Sequence, residues 1–174
     1  EWIGDNATLQ TYLLNTYGQQ EIPENAISGK SDNVFSVNTW YHVVITYNGS
    51  TRSLILYKDG ISITFNIIDT LSGSIQNSDP LTIGALSATN PFNFSLGNHL
   101  NYQIFNKVLS PSETSDLYNS GTPPDVTQLS SYSDCIRYWK LGTGDTYPTL
   151  IDTKNNQNLT MTNMSAGSIV EEIP

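Results

Sequence analysis

Two runs and the turns that join them decide the fold. The first is Trp40-Tyr41-His42-Val43-Val44-Ile45-Thr46-Tyr47. After Asn48-Gly49-Ser50-Thr51-Arg52 comes the second, Ser53-Leu54-Ile55-Leu56-Tyr57-Lys58, then Asp59-Gly60 and a third apolar run over 61–67. β-Branched and aromatic residues dominate each run, as strands require. In an extended chain Trp40, His42, Val44 and Thr46 share one face, and Tyr41, Val43, Ile45 and Tyr47 share the other. Both faces are largely apolar, which predicts a strand inside a layered sheet. Asp59-Gly60 between two β runs predicts a two-residue hairpin, because so tight a turn needs positive φ.

Outward from this hairpin, further strands are expected over 9–14, 33–37, 81–85 (reached through Asp79-Pro80), 98–106 and 135–141. One short helix is expected over 112–119. Ser110-Pro111-Ser112-Glu113 supplies a capping serine, a proline in the first turn and a glutamate to complete the capping box. Gly121 is expected to end the helix in a left-handed conformation, with Pro123-Pro124 blocking its continuation. Residues 123–133 read as a polar crossing. Many short strands with one helix predict an all-β sandwich of two antiparallel sheets, since the alternating helices of a βαβ fold are missing.

Composition excludes several functions. The chain has 174 residues, 20 Ser, 19 Thr and 18 Asn, only seven Lys and Arg, and a net charge of −9. The basic residues stand singly, so no cationic stripe exists to hold a phosphate backbone, and nucleic acid is not an expected partner. Membrane insertion is not expected either, because no apolar run approaches the ~20 residues that span a bilayer. A single cysteine, Cys135, excludes an internal disulfide and a Cys-x-x-Cys site. The chain opens on Glu1 instead of Met, as a processed chain or a piece of a longer one would.

Asn38-Thr39-Trp40-Tyr41-His42-Val43-Val44-Ile45-Thr46-Tyr47-Asn48-Gly49 with Leu56-Tyr57-Lys58-Asp59-Gly60 resembles the core signature of laminin G-like and pentraxin-like domains of the concanavalin A-like lectin/glucanase superfamily. Pro80-Leu81-Thr82-Ile83-Gly84 is similar to another of its strands, and Tyr102-Gln103-Ile104-Phe105-Asn106-Lys107-Val108-Leu109-Ser110 with Glu113 and Leu117 to its closing signature. The resemblance covers about 33–121 and implies a concanavalin A-like jelly roll of two antiparallel sheets. On that reading residues 1–174 form a single domain, with 134–174 completing or flanking the sandwich. Cys135-Ile136-Arg137-Tyr138-Trp139-Lys140-Leu141-Gly142 is similar to a segment that normally opens such domains. The C-terminal pattern from Trp139 through Met164 to Pro174 resembles the ends of tailed-phage particle proteins.

The reading taken first is a non-enzymatic surface recognition or decoration module, a phage or virus structural protein with glycan binding; the alternatives are a secreted carbohydrate-binding or adhesion domain of a larger protein and, behind it, a glycoside hydrolase. The module's expected partners are cell-surface glycans or other virion subunits, with a homo-oligomer compatible, and its expected place is the virion surface or the extracellular space. The glucanases of the superfamily carry a Glu-x-Asp-x-Glu strand, and no such spacing occurs here, so no catalytic residue is assigned. No resident cofactor is expected. Calcium is the metal the resemblance suggests, with Asp79, Asn98 and Asp152 as candidate ligands and Asn155 and Asn156 beside the last. Glycan binding needs aromatic platforms and planar polar groups on loops, which selects Tyr17, Asn77, Phe92, Asn93 and Tyr147, with Tyr12, Phe94 and Tyr132 nearby in type. His42 is expected to be structural, and Trp40 and Trp139 to anchor the core.

Overall fold

The computed structural model describes residues 10–14, 26–31, 35–36, 38–75, 80–85, 97–142 and 144–170. The chain divides into two compact units, 1–96 and 97–174, so the signature expected over 33–121 runs across the division.

The first unit holds two three-stranded antiparallel sheets. One has the order β1 (Gln10–Leu14), β2 (Ala26–Ser31), β6 (Phe65–Asp69). The other runs β3 (Val43–Asn48), β4 (Ser53–Lys58), β5 (Ile61–Ile63). In the second sheet Ile45 stands opposite Leu56, and Leu56 opposite Ile63. Directly opposed residues share a face, so these three form one apolar row. Leu54 from this sheet meets Ile27 from the other, with Leu71 completing a buried cluster against which Tyr47 and Ile75 pack. That contact makes the two sheets a sandwich. Burying a side chain such as Ile27 or Leu56 contributes ~1.5–3 kcal/mol. Arg52 ties the two sheets at their margin: it grips the Asp69 carboxylate at the end of β6 and donates to the Leu71 carbonyl.

The Asp59-Gly60 hairpin forms as expected, with φ of 51° and 76°. The Asp59 carboxylate also accepts from the His42 N–H at 3.0 Å, and the Asp59 N–H donates back to the His42 carbonyl at 2.9 Å. Other expectations need correction. The strand over 61–67 is two strands: the chain leaves one sheet at Ile63 and joins the other at Phe65, so the run changes layers at Thr64. Residues 81–85 form no strand and bend over 83–85, where the Thr82 hydroxyl donates to the Ala85 carbonyl at 2.9 Å and Gly84 takes φ 78°. Trp40 precedes β3 and is 38% exposed, so it is not a core anchor. Of 33–37, only Phe35 and Ser36 lie within the described residues; Phe35 is buried, with Tyr41 edge-on at 5.1 Å.

In the second unit β7 (Tyr102–Phe105) pairs with β8 (Cys135–Trp139), with a register shift that leaves Ile136 bulged. Two-residue strands β9 (Thr149–Leu150) and β10 (Leu159–Thr160) pair beside them. Helix α1 spans Pro111–Tyr118 and buries Thr114 and Leu117. Its capping box is complete: the Glu113 N–H donates to the Ser110 hydroxyl, and the Ser110 N–H donates to the Glu113 carboxylate. The helix turns left-handed at Asn119, two residues before the expected Gly121, and Ser120 and Gly121 follow it there. The crossing at 123–133 contains two short 3₁₀ turns, Val126–Gln128 and Ser130–Asp134.

Lys107 reaches Glu113 at 2.6 Å and Asp134 at 3.5 Å. The Lys107 ammonium, then the Ser110 donors, lower the Glu113 carboxyl to about 2. A depressed carboxyl stabilises above its unfolded value and stops doing so as pH falls through its folded one, so the cap weakens between about 4.5 and about 2. Replacing the cap, Ser110→Ala, is expected to cost about 1 kcal/mol in a urea unfolding titration at neutral pH, and a change below ~0.3 kcal/mol would show that the cap carries no stability.

Candidate functional site

The last third of the chain is organised by one carboxylate. Asp152 is 1% exposed. Its Oδ1 accepts from the Tyr138 and Lys154 N–H groups at 3.0 and 2.9 Å, and its Oδ2 accepts from the Gln157 N–H at 3.1 Å. Its own N–H donates to Asn158 Oδ1 at 3.0 Å, and Arg137 Nε lies 3.7 Å from Oδ2. Burial works against the charge, and the backbone donors of Tyr138, Lys154 and Gln157 outweigh it, so the carboxyl sits below its ordinary value. Trp139, 2% exposed, donates its indole N–H to the Gln157 carbonyl at 2.9 Å. The turn 152–158 is thereby fastened to β8 at several points.

A second carboxylate closes the neighbouring loop. Leu141 (φ 60°) and Gly142 turn the chain out of β8. Asp145 then accepts from the Gly142 N–H at 3.0 Å and from the Ile151 N–H at 2.7 Å, while its own N–H donates to the Gly142 carbonyl at 3.0 Å. Thr146 and Thr149 pair across the tip, which includes a cis Tyr147-Pro148 bond. The Thr153 N–H and hydroxyl both donate to the Tyr138 carbonyl, at 2.8 and 3.1 Å. Between these pinned segments lies a depression of about 250 Å3 lined by Lys140, Gly144, Asp145, Ile151 and Thr153.

The residues selected from sequence fall as follows. Tyr17, Asn77, Asp79, Phe92 and Asn93 lie outside the described residues, as does Phe94, and of Tyr12 only the backbone is described. Asn98 is exposed at the start of the second unit. Tyr147 is 43% exposed at the tip of the Asp145 loop and does not line the depression. Asp152 is surrounded by N–H donors, and Asn155 donates its side-chain amide to the Ile136 carbonyl at 2.7 Å. The Tyr132 ring is covered by the Lys154 ammonium at 3.7 Å. Among the described residues no group of three His, Cys, Asp or Glu side chains could hold a metal ion. Burial lowers both histidines, against the pull of Asp59 in the case of His42, and so favours the neutral ring in each. Sequence reasoning missed Lys140, Asp145, Ile151 and Thr153; the Gly142-x-Gly144-Asp145 turn was the available signal.

A laminin G-type family model, described as the concanavalin A-like lectin/glucanases superfamily, matches residues 2–115. The chain belongs to that superfamily. The match reaches further toward the N-terminus than the motifs at 33–121, so β1 and β2 fall inside the superfamily segment, which ends within α1. The depression and the Asp152 turn lie beyond it. No curated protein and no solved structure matches the chain.

Removing the Asp152 carboxylate strands the buried Tyr138 N–H, at ~1–3 kcal/mol, and releases the half-buried Lys154 and Gln157 N–H groups toward water. Asp152→Ala is expected to destabilise the C-terminal unit by ~1–3 kcal/mol, read by hydrogen exchange at the Tyr138, Lys154 and Gln157 amides, whereas Asp152→Asn keeps an acceptor and loses less. Because the carboxyl is depressed, its contribution is full above the ordinary Asp value and is lost as pH falls below it. Unchanged protection in Asp152→Ala would remove the carboxylate from this role.

Proposed function

We propose that the chain is a carbohydrate-binding or adhesion module that acts by binding and not by catalysis. The observation that carries this reading is the superfamily match over 2–115. The chemistry of six of the described carboxylates supports the non-catalytic part. Asp59 holds the hairpin, Asp69 holds Arg52, Glu113 caps α1, Asp125 caps the 3₁₀ turn at Val126–Gln128, and Asp145 and Asp152 hold loops. Each makes a bond that shapes the fold, and among the described residues Asp145 is the one carboxylate that lines the depression described above, whereas glycoside hydrolysis needs an acid paired with a nucleophile or base.

The proposed partners are cell-surface glycans, and the proposed setting is extracellular or on a particle surface. An acidic surface rich in Ser, Thr and Asn resists nonspecific association with anionic polymers. A second reading, a virion decoration subunit, draws on the C-terminal pattern from Trp139 to Pro174. Binding of the purified chain to a glycan array, once with calcium and once with chelator, separates the two. Saturable binding to a defined sugar class is expected; loss in chelator would add a calcium site. Silence under both conditions, with the chain displayed in multiple copies, would overturn the carbohydrate reading and favour the particle role.

A further inference from the structure

We infer that the depression lined by Lys140, Gly144, Asp145, Ile151 and Thr153 is a subsite for one neutral pyranose residue. This deepens the carbohydrate-binding reading and rests on it. Size comes first. Sites for drug-sized ligands occupy ~300–1,000 Å3, and about 250 Å3 is open here, which suits one ring with its hydroxyls.

The lining has the partners a sugar asks for. Each sugar hydroxyl both donates and accepts, and the ring presents an apolar C–H face. The Lys140 ammonium is exposed and offers donors. Each Asp145 oxygen accepts one backbone N–H, and a carboxylate has about four acceptor positions, so acceptor capacity remains on both oxygens. Thr153 gives its hydroxyl proton to the Tyr138 carbonyl and therefore meets a ligand as an acceptor. Ile151, 40% exposed, supplies the apolar surface.

Charge selects the class. One ammonium and one carboxylate cancel across the lining, in a chain of net charge −9. The Lys140 charge is offset by Asp145 in the lining and is also felt by Asp125, so an anionic sugar gains no net attraction and the arrangement favours a neutral one. The loop is already fastened at Gly142, Ile151 and Tyr138, so little order is lost on binding. One ring in an open site still binds weakly, with a dissociation constant on the order of 1 mM.

The test is a titration of the isotope-labelled chain with methyl glycosides of glucose, galactose and mannose, and separately with glucuronate, alongside the array. Saturable shifts of the Gly144, Ile151 and Thr153 amides with a neutral glycoside, weakened at least threefold in Lys140→Ala and in Ile151→Ala, are expected. Both substitutions are at exposed side chains, so the fold survives them. Stronger binding of glucuronate at the same amides overturns the neutral class. An array-positive wild type whose two variants bind unchanged, or whose shifts fall elsewhere, overturns the site and leaves the carbohydrate reading standing. A silent array with no shifts overturns both.

Discussion

A carboxylate removed from water holds the C-terminal unit together. Desolvating an ion costs several kcal/mol, and Asp152 is exposed by only 1%. Three backbone N–H groups aimed at its two oxygens, each a charge-assisted bond contributing ~1.5–3 kcal/mol, offset that cost. Those donors come from β8 and from both arms of the 152–158 turn, so the group that needs them also fixes where they are. Trp139, Tyr138 and Cys135 then bury against a frame whose polar groups are already satisfied. Tyr138 shows the depth of that burial: its phenol is pushed up to about 12, and its hydroxyl donates to Asn101 at 2.9 Å.

The first unit is held in a different way. Its sheets meet through apolar side chains, Ile27 against Leu54 and Leu71, and the polar contributions sit at the edges, in Arg52 and in the Asp59 hairpin. A chain that passes from one sheet to the other at Thr64 joins the two layers covalently over a single residue. Short strands that change layers are a common way for a sandwich to turn its corners.

What was legible in the sequence was what local chemistry determines. Asp59-Gly60 needs only its own two φ angles, and the Ser110–Glu113 box only its own four residues, and both form as read. The strand β2 escaped notice because Ser28, Gly29, Lys30 and Ser31 resemble a loop; it is a strand because β1 and β6 pair on either side of it, at separations no local pattern encodes. Residues 81–85 fail in the opposite sense, since their β-like composition yields to a Thr82 hydroxyl bond and a positive φ at Gly84. At the site, Asp152 and its Asn-rich turn read equally well as oxygen ligands for a cation. The sequence does not distinguish a carboxylate that receives a metal from one that receives backbone N–H groups, because the donors come from main chain whose direction the fold sets.

The depression follows from the same polar frame. Its five residues are spread from 140 to 153, and only the fastening of the Asp145 loop and the Thr153 backbone to β8 brings them together. They lie beyond the superfamily segment, on a part of the chain whose rigidity comes from hydrogen-bonded turns more than from sheet. Sites on loops carry function when a rigid scaffold positions them, and here two buried or pinned carboxylates do the positioning. A subsite of one ring is weak by itself. Linked copies raise the effective concentration of the second and later contacts by orders of magnitude, so the proposed one-ring subsite would gain strength only through repetition.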